Sequence, residues 1–262
     1  MTQEQRAEYL IRYLLEEREE DRNLALPTGL AEKRRLLRSL MNVRPPVPIR
    51  ADFLRVQDAY LRARLIERGV TRFCDLTPTR PGLYLWQGDI TTLAVDAIVN
   101  AANSQMLGCF VPCHGCIDNA IHSYAGVQLR LECARIMAEQ KREEPTGQAK
   151  LTKAYNLPSR FVLHTVGPIL CGAVTQADCE LLASCYRACL NLASAHKLHS
   201  VAFCCISTGE FHFPNRLAAE IAICTVRSWQ QQNPGKIEVV FNVFKDSDYE
   251  IYKRLLEGDP AA

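Results

Sequence analysis

Long apolar runs are missing from this 262-residue chain, and with them any segment able to cross a bilayer as a helix. The first ten residues, MTQEQRAEYL, lack the basic-then-apolar order of a secretory leader. Charge of one sign is equally scarce. Lys and Arg total 31 against 29 Asp and Glu, a net charge of +2, so no overall field recommends nucleic acid or a membrane surface as partner, although local patches remain free to bind anions. Repeats and low-complexity tracts are absent. With 48% hydrophobic and 23% charged residues the composition excludes the disordered and fibrous classes. The expectation is a cytoplasmic monomer that binds neither nucleic acid nor membrane.

Cysteine, by contrast, is plentiful. Twelve thiols in a chain expected to be intracellular do not read as a disulfide framework, because reducing compartments keep them free. They are expected as core residues, metal ligands, or both.

The length suits one α/β domain with a small accessory unit. Helical periodicity runs from Gln5 to Asp21 through Ala7, Leu10, Ile11 and Leu14, again from Leu30 to Met41, and again from Asp52 to Arg68, where Gly69 stops it. Pro45, Pro46 and Pro48 make the second connection extended. Residues 1–75 therefore form an all-α accessory unit without a strand signal. It holds no cluster of catalytic residue types, and its Arg and Lys residues read as a solvated face. Residues 76–262 alternate β-rich runs (Leu83–Trp86, Ala97–Val99, Phe161–Leu163, Val201–Ile206, Ile237–Phe244) with helical stretches (Ile117–Arg142, Cys179–His196, Pro214–Gln231, Ser247–Leu256). That alternation implies a mixed central sheet flanked by helices, with ligands at the carboxyl ends of its strands.

Three strand-to-loop junctions carry polar chemistry. Gly88-Asp89-Ile90-Thr91 places an acid just past a strand, where it caps a turn or accepts hydrogen bonds from a ligand. Val99-Asn100-Ala101-Ala102-Asn103 runs a strand into small residues and two carboxamides, which serve the turn or a closely approaching ligand. Ile206-Ser207-Thr208-Gly209 precedes Phe213-Pro214 and a helix; Gly209 permits unusual torsions, and backbone amides in such a loop cradle phosphate. Together with Gly147-Gln148-Ala149 and His164-Thr165-Val166-Gly167-Pro168, these ordered motifs resemble the macrodomain family over about Leu83 to Leu256. The resemblance implies a three-layer α/β fold and an ADP-ribose site. In it Asp89 and Ile90 meet the adenine, Ser207, Thr208, Gly209 and Glu210 wrap the diphosphate, and Asn103 holds the distal ribose with Phe211 and Phe213 beside it.

One segment departs from the usual family pattern. Where most catalytic macrodomains carry a glycine run, this chain has Leu107-Gly108-Cys109-Phe110-Val111-Pro112-Cys113-His114-Gly115-Cys116. Three thiols and an imidazole in a Pro- and Gly-containing loop suit zinc better than a buried core. The spacing resembles that of the zinc-dependent macrodomain subgroup, which implies Cys109, His114 and Cys116 as ligands and leaves Cys113 open as a fourth. Three ligands leave a position for water or substrate; four close the site and make it structural. Asp118 follows at the start of a helix with His122 one turn on. The resemblance places Asp118 by the reacting bond, to orient or deprotonate water, whereas His122 and His164 read as packing residues.

The sequence thus points to a zinc-dependent hydrolase removing mono-ADP-ribose from ADP-ribosylated proteins, with Asn103 and Asp118 as catalytic residues. The competing reading is a non-catalytic ADP-ribose reader with a structural zinc. Likeness to the zinc subgroup also implies a sirtuin-type ADP-ribosyltransferase as functional partner.

Overall fold

The computed structural model describes residues 1–18, 20 and 24–258. Three helices open the chain: α1 (Gln3–Glu16), α2 (Leu30–Val43) and α3 (Ala51–Arg68). Asp21, the expected end of α1, lies outside the described residues. Thr2 and Gln5 form a reciprocal capping box on α1. Ala7, Leu10, Ile11, Leu14 and Leu15 bury one stripe of α1 against Leu37, Leu40 and Met41 of α2 and Phe53, Tyr60 and Leu61 of α3. This second core also takes in Val127 from the larger domain, so the helical unit is seated on it.

The larger domain is built on a seven-stranded sheet, in the order β2 (Pro78–Arg80), β3 (Leu83–Gln87), β9 (Glu238–Val243), β8 (Ser200–Phe203), β5 (Ala97–Ala102), β7 (Phe161–Val166), β6 (Ala149–Lys153). The five inner strands are parallel and the two edge strands antiparallel, the mixed sheet expected. Ile98, Val99, Val162, Leu163, Val201, Ala202, Val239 and Val240 are fully buried, because helices cover both faces. Those helices are α4 (Ile117–Ala125), α5 (Val127–Gln140), α6 (Gln176–Ala195), α7 (Asn215–Gln232) and α8 (Asp246–Glu257). A short parallel pair, β1 (Thr71–Arg72) with β4 (Leu93–Ala94), puts a strand residue pair inside the segment expected to have none. Among the described residues no helix is long and apolar enough to cross a membrane, and all twelve cysteines are free.

The expected single helix from Ile117 to Arg142 is two. Gly126 turns to φ +99 between them, a conformation that favours glycine, and a Cβ there would lie 2.6 Å from Gln57 Nε2. The close approach is used: Gln57 Oε1 accepts from Val127 N (3.0 Å), and Asp58 accepts from Gln128 and Asn156 (both 2.8 Å). Thus α3 is hydrogen-bonded across the break.

Arg130 ties the same region to the functional loop. Its Nη1 donates to the carbonyls of Asn42 (2.8 Å) and Arg44 (2.5 Å), and its Nε to that of Leu107 (2.6 Å). Burial lowers its pKa to about 10, still protonated at neutral pH. Arg130→Leu strands these buried carbonyls, and denaturant unfolding is expected to show a loss of about 3 kcal/mol or more.

Candidate functional site

The parallel strands β3, β9, β8, β5 and β7 all end on one side of the sheet, and the polar junctions gather there. Asn100 sits inside β5, fully buried, and its Nδ2 donates to Asp118 Oδ1 (2.8 Å) and contacts His164 Nδ1 (3.1 Å). His164 Nδ1 therefore accepts, which puts the ring proton on Nε2, facing Thr152 Oγ1 at 2.8 Å. Asn103 directly follows the strand. Its Oδ1 accepts from Gln105 N and Met106 N (both 3.1 Å), while its Nδ2 donates to Gly108 O (3.2 Å) and Asp118 Oδ2 (3.4 Å). Both carboxamides thus do more than shape a turn: they hold the Asp118 carboxylate from two sides.

Asp118 is buried in the first turn of α4, where the helix dipole favours negative charge. Burial nonetheless raises its pKa to about 6, with Asn100 and Arg130 opposing the rise. His122 lies one turn on, its Nε2 3.5 Å from Asp118 Oδ1. The ring packs against Gly108, where a Cβ would come within 2.7 Å of it. Burial drives the His122 pKa well below its usual value and that of His164 to about 3, so both rings are neutral at pH 7. A depressed histidine contributes stability that is present above pH 6.5 and is lost as pH falls toward 3. Stability is expected to decline across that window with a slope approaching about 1.4 kcal/mol per pH unit for His164. Denaturant titrations at pH 7.5, 5.5 and 4 check this, and His164→Gln is expected to flatten the decline.

The loop from Leu107 to Cys116 brings Cys109, His114 and Cys116 together, their ligand atoms all within 4.8 Å of one another. Cys109 Sγ lies 3.7 Å from His114 Nδ1, close to the roughly 3.6 Å that a tetrahedral zinc with ordinary Zn–S and Zn–N bonds would span. His114 Nε2 faces Glu210 Oε1 at 3.7 Å, the carboxylate-behind-imidazole arrangement that orients a metal-bound histidine. Burial pushes the Cys116 thiol up to about 12, and Cys109 and Asp118 add to the rise while the Asn119 amide opposes it. Two thiols and an imidazole beside a carboxylate suit a divalent cation, so the donor set fits zinc. Cys113 turns away from the three. At φ +53 its N–H donates to Asn42 Oδ1 (2.9 Å) and its Sγ lies 3.4 Å from Arg35 O, both on α2.

Opposite this loop, residues 204–213 leave β8. The strand ends at Phe203, earlier than the expected Ile206. The unusual torsions fall on Ser207 (φ +64) and His212 (φ +58), not on Gly209 as the sequence suggested. At Gly209 a Cβ would meet nothing within 4 Å, so glycine there leaves the backbone open rather than bent. Ser207 closes on Gly167, where a Cβ would lie 2.0 Å from Ser207 Oγ, an oxygen buried without a hydrogen-bond partner. Thr208 Oγ1 donates back to Cys205 O (3.1 Å). Glu210 is exposed and Phe211 half-buried, but Phe213 is 1% exposed and belongs to the core, because the turn swings it inward before α7.

At the other end, Asp89 both caps and binds. Its Oδ1 accepts from Thr91 N (2.9 Å), and its Oδ2 accepts from Arg68 Nη1 (2.9 Å). Ile90 is 1% exposed and packs in the core, so its side chain is not at the surface to meet a ligand. Arg68 also stacks 3.6 Å from the Tyr124 ring centroid, and Arg38 of α2 donates to His114 O (3.1 Å) and Asn119 Oδ1 (2.8 Å). These arginines are not a solvated face, because α2 and α3 pack against both ends of the cleft. Phe244, in the sequence the last residue of an expected strand, lies one residue past β9 and is 74% exposed. Its carbonyl accepts from Gln87 Nε2 at the end of the neighbouring strand, two residues before Asp89; an exposed aromatic just past a strand end is the signal for a stacking surface.

The Macro domain family profile matches residues 99–222. A protein from Treponema medium named protein-ADP-ribose hydrolase is 54% identical over 260 residues, 98% of this chain and 100% of its own length. One of the same name from Staphylococcus aureus strain Mu50 is 49% identical over 97% of this chain and 96% of its own. A Fusarium oxysporum protein named probable bifunctional ADP-ribose hydrolase/ADP-ribosyltransferase is 42% identical over 86% of this chain, which matches 41% of its length. Among solved structures, the Trypanosoma brucei macrodomain in complex with ADP-ribose superposes with a TM-score of 0.65 at 32% identity, covering 83% of this chain and 94% of that one. The Oceanobacillus iheyensis macrodomain with ADP gives 0.61 at 40% identity, covering 67% and 90%.

Proposed function

This chain belongs to the Macro domain family, and from that premise we propose that it is a hydrolase releasing mono-ADP-ribose from modified protein side chains, with zinc held by Cys109, His114 and Cys116. The observation that carries the reading is the coupling of Asn103 to both Asp118 and the carbonyl of Gly108, next to the first metal ligand. A hydrolase has use for a ribose-holding amide, a buried carboxylate and a metal donor set side by side, whereas a module that only binds has no use for a carboxylate held in place by two carboxamides there. The names of the Treponema and Staphylococcus relatives support hydrolysis.

In this reading the adenine lies between Asp89 and the exposed ring of Phe244. The Ser207–Glu210 backbone faces the diphosphate. Asn103 and Phe211 hold the distal ribose, and Asp118 orients or deprotonates the attacking water. When bound, zinc supplies Lewis-acid polarisation of an oxygen and lowers the pKa of a bound water. An ADP-ribosyltransferase, sirtuin-type by resemblance, is the functional partner that supplies the substrate; the bifunctional name of the Fusarium relative joins the two activities.

Two measurements test the proposal. Calorimetry is expected to detect ADP-ribose binding, weakened by about 1–3 kcal/mol in Asp89→Ala, because the adenine amine is left without its acceptor. Metal-replete protein is expected to release ADP-ribose from at least one of acidic, serine or arginine linkages. Binding without release from any of them would make it a reader.

A further inference from the structure

A groove of about 380 Å³ runs between α2, α3 and α4, outside the cleft assigned to ADP-ribose. Its walls carry four guanidinium groups: Arg34, Arg35 and Arg38 from α2, and Arg64 from α3. Glu67 pairs with Arg34 and with Arg64, and Arg38 spends its hydrogen bonds on His114 O and Asn119. Among the described residues no carboxylate pairs with Arg35, which is exposed, and the Nε of Arg34 is buried without a partner. One carboxylate against four cations, in a chain whose net charge is only +2, is a local concentration of positive charge. The floor beneath is apolar, with Leu37 and Leu61 among its residues.

We propose that this groove takes an acidic polypeptide segment of the protein that carries the ADP-ribose. Three features select that occupant. Guanidinium forks pair with carboxylates two bonds at a time. The apolar floor accepts an aliphatic or aromatic side chain between the acids, and the volume suits a few residues of extended chain. Cys113 lines the groove while its neighbours in the loop form the zinc trio, and Arg38 of the groove bonds His114 O, so the groove adjoins the end of the cleft where a polypeptide joined to the distal ribose would emerge. The last feature rests on the hydrolase reading; the charge and shape do not.

The test uses the full-length protein and an unmodified, fluorescently labelled ten-residue peptide rich in Asp and Glu with one Phe. Anisotropy is expected to show binding that weakens with salt, little binding of a Ser/Gly control, and at least a tenfold loss in the R35E/R64Q double variant. ADP-ribose affinity of that variant, by calorimetry, is expected to match wild type, which also certifies its fold; Arg35→Ala alone is the milder check. On ADP-ribosylated peptides the double variant is expected to raise KM for the acidic one only. Equal binding of acidic and neutral peptides, or an unchanged affinity in the double variant, overturns the proposal. So does saturable binding of inorganic phosphate without peptide binding, which would make the groove a small-anion site. Peptide binding without release of ADP-ribose from any linkage supports the groove and sinks the hydrolase reading instead.

Discussion

Serine at Cys109 or Cys116, or alanine at His114, is expected to remove bound zinc and reduce ADP-ribose release to background, while Cys113→Ser leaves both unchanged. The expectation follows from where the four side chains point. Cys109, His114 and Cys116 converge within 4.8 Å, whereas Cys113 is spent on α2. A three-ligand site has none to spare, and each ligand deleted removes a strong bond together with the preorganisation of the other two, so zinc affinity falls by orders of magnitude. Metal content by mass spectrometry and product release in the same preparations read the two effects. The loop is also pinned by Arg130 on Leu107 O and by Arg38 on His114 O, so its backbone has support that does not depend on a metal. Circular dichroism is therefore expected to show the variants folded. If they unfold, zinc is a structural clasp; full release by metal-free, folded protein keeps the hydrolase and removes zinc from its chemistry.

The inner strands were legible because their centres are apolar runs, buried on both faces in Ala97–Val99 and Val239–Phe241 and half-buried in β3. β6 escaped notice because Ala149–Lys153 is an edge strand that alternates two lysines with small and apolar residues. The break at Gly126 was hidden because apolar periodicity continues across it; what bends the chain there is Gln57, seventy residues earlier, reaching the backbone of Val127. The candidate site divides along the same line. Asn103, Asp118 and the Cys/His loop were readable since their chemistry is written in consecutive residues. Arg38 and Arg68 were not, because a basic residue on an amphipathic helix looks like a solvated one until the helix is docked. Arg68 on Asp89 and Arg38 on His114 O exist only because the second core seats α2 and α3 against the sheet domain. The helical unit therefore contributes to the cleft's two ends rather than standing apart from it.

Asp118→Asn is expected to lower kcat by at least about a hundredfold, the usual range for loss of a general acid or base. ADP-ribose affinity is expected to stay within about threefold, since a hydrogen bond is worth on the order of 1 kcal/mol, and zinc content is expected not to change. The substitution is nearly isosteric and keeps an oxygen to accept from Asn100 at the 2.8 Å contact, giving up only the longer 3.4 Å contact, where an amide NH2 would face the Asn103 donor. What it removes is the carboxylate charge and the capacity to take a proton. Because burial already pushes the Asp118 pKa up to about 6, a neutral amide is no harder to bury than the acid it replaces, and the unfolding midpoint at neutral pH is expected not to fall. A structural role predicts the opposite pattern, with stability and affinity falling together while the residual folded protein turns over normally. Asn103→Ala separates the neighbouring contribution. It deletes the donor to Asp118 Oδ2 and Gly108 O along with the proposed ribose contact, so KM is expected to rise as well as kcat to fall. Wild-type kcat in Asp118→Asn would remove the carboxylate from the reaction and leave polarisation at the Cys109–His114–Cys116 site as the chemistry to be tested.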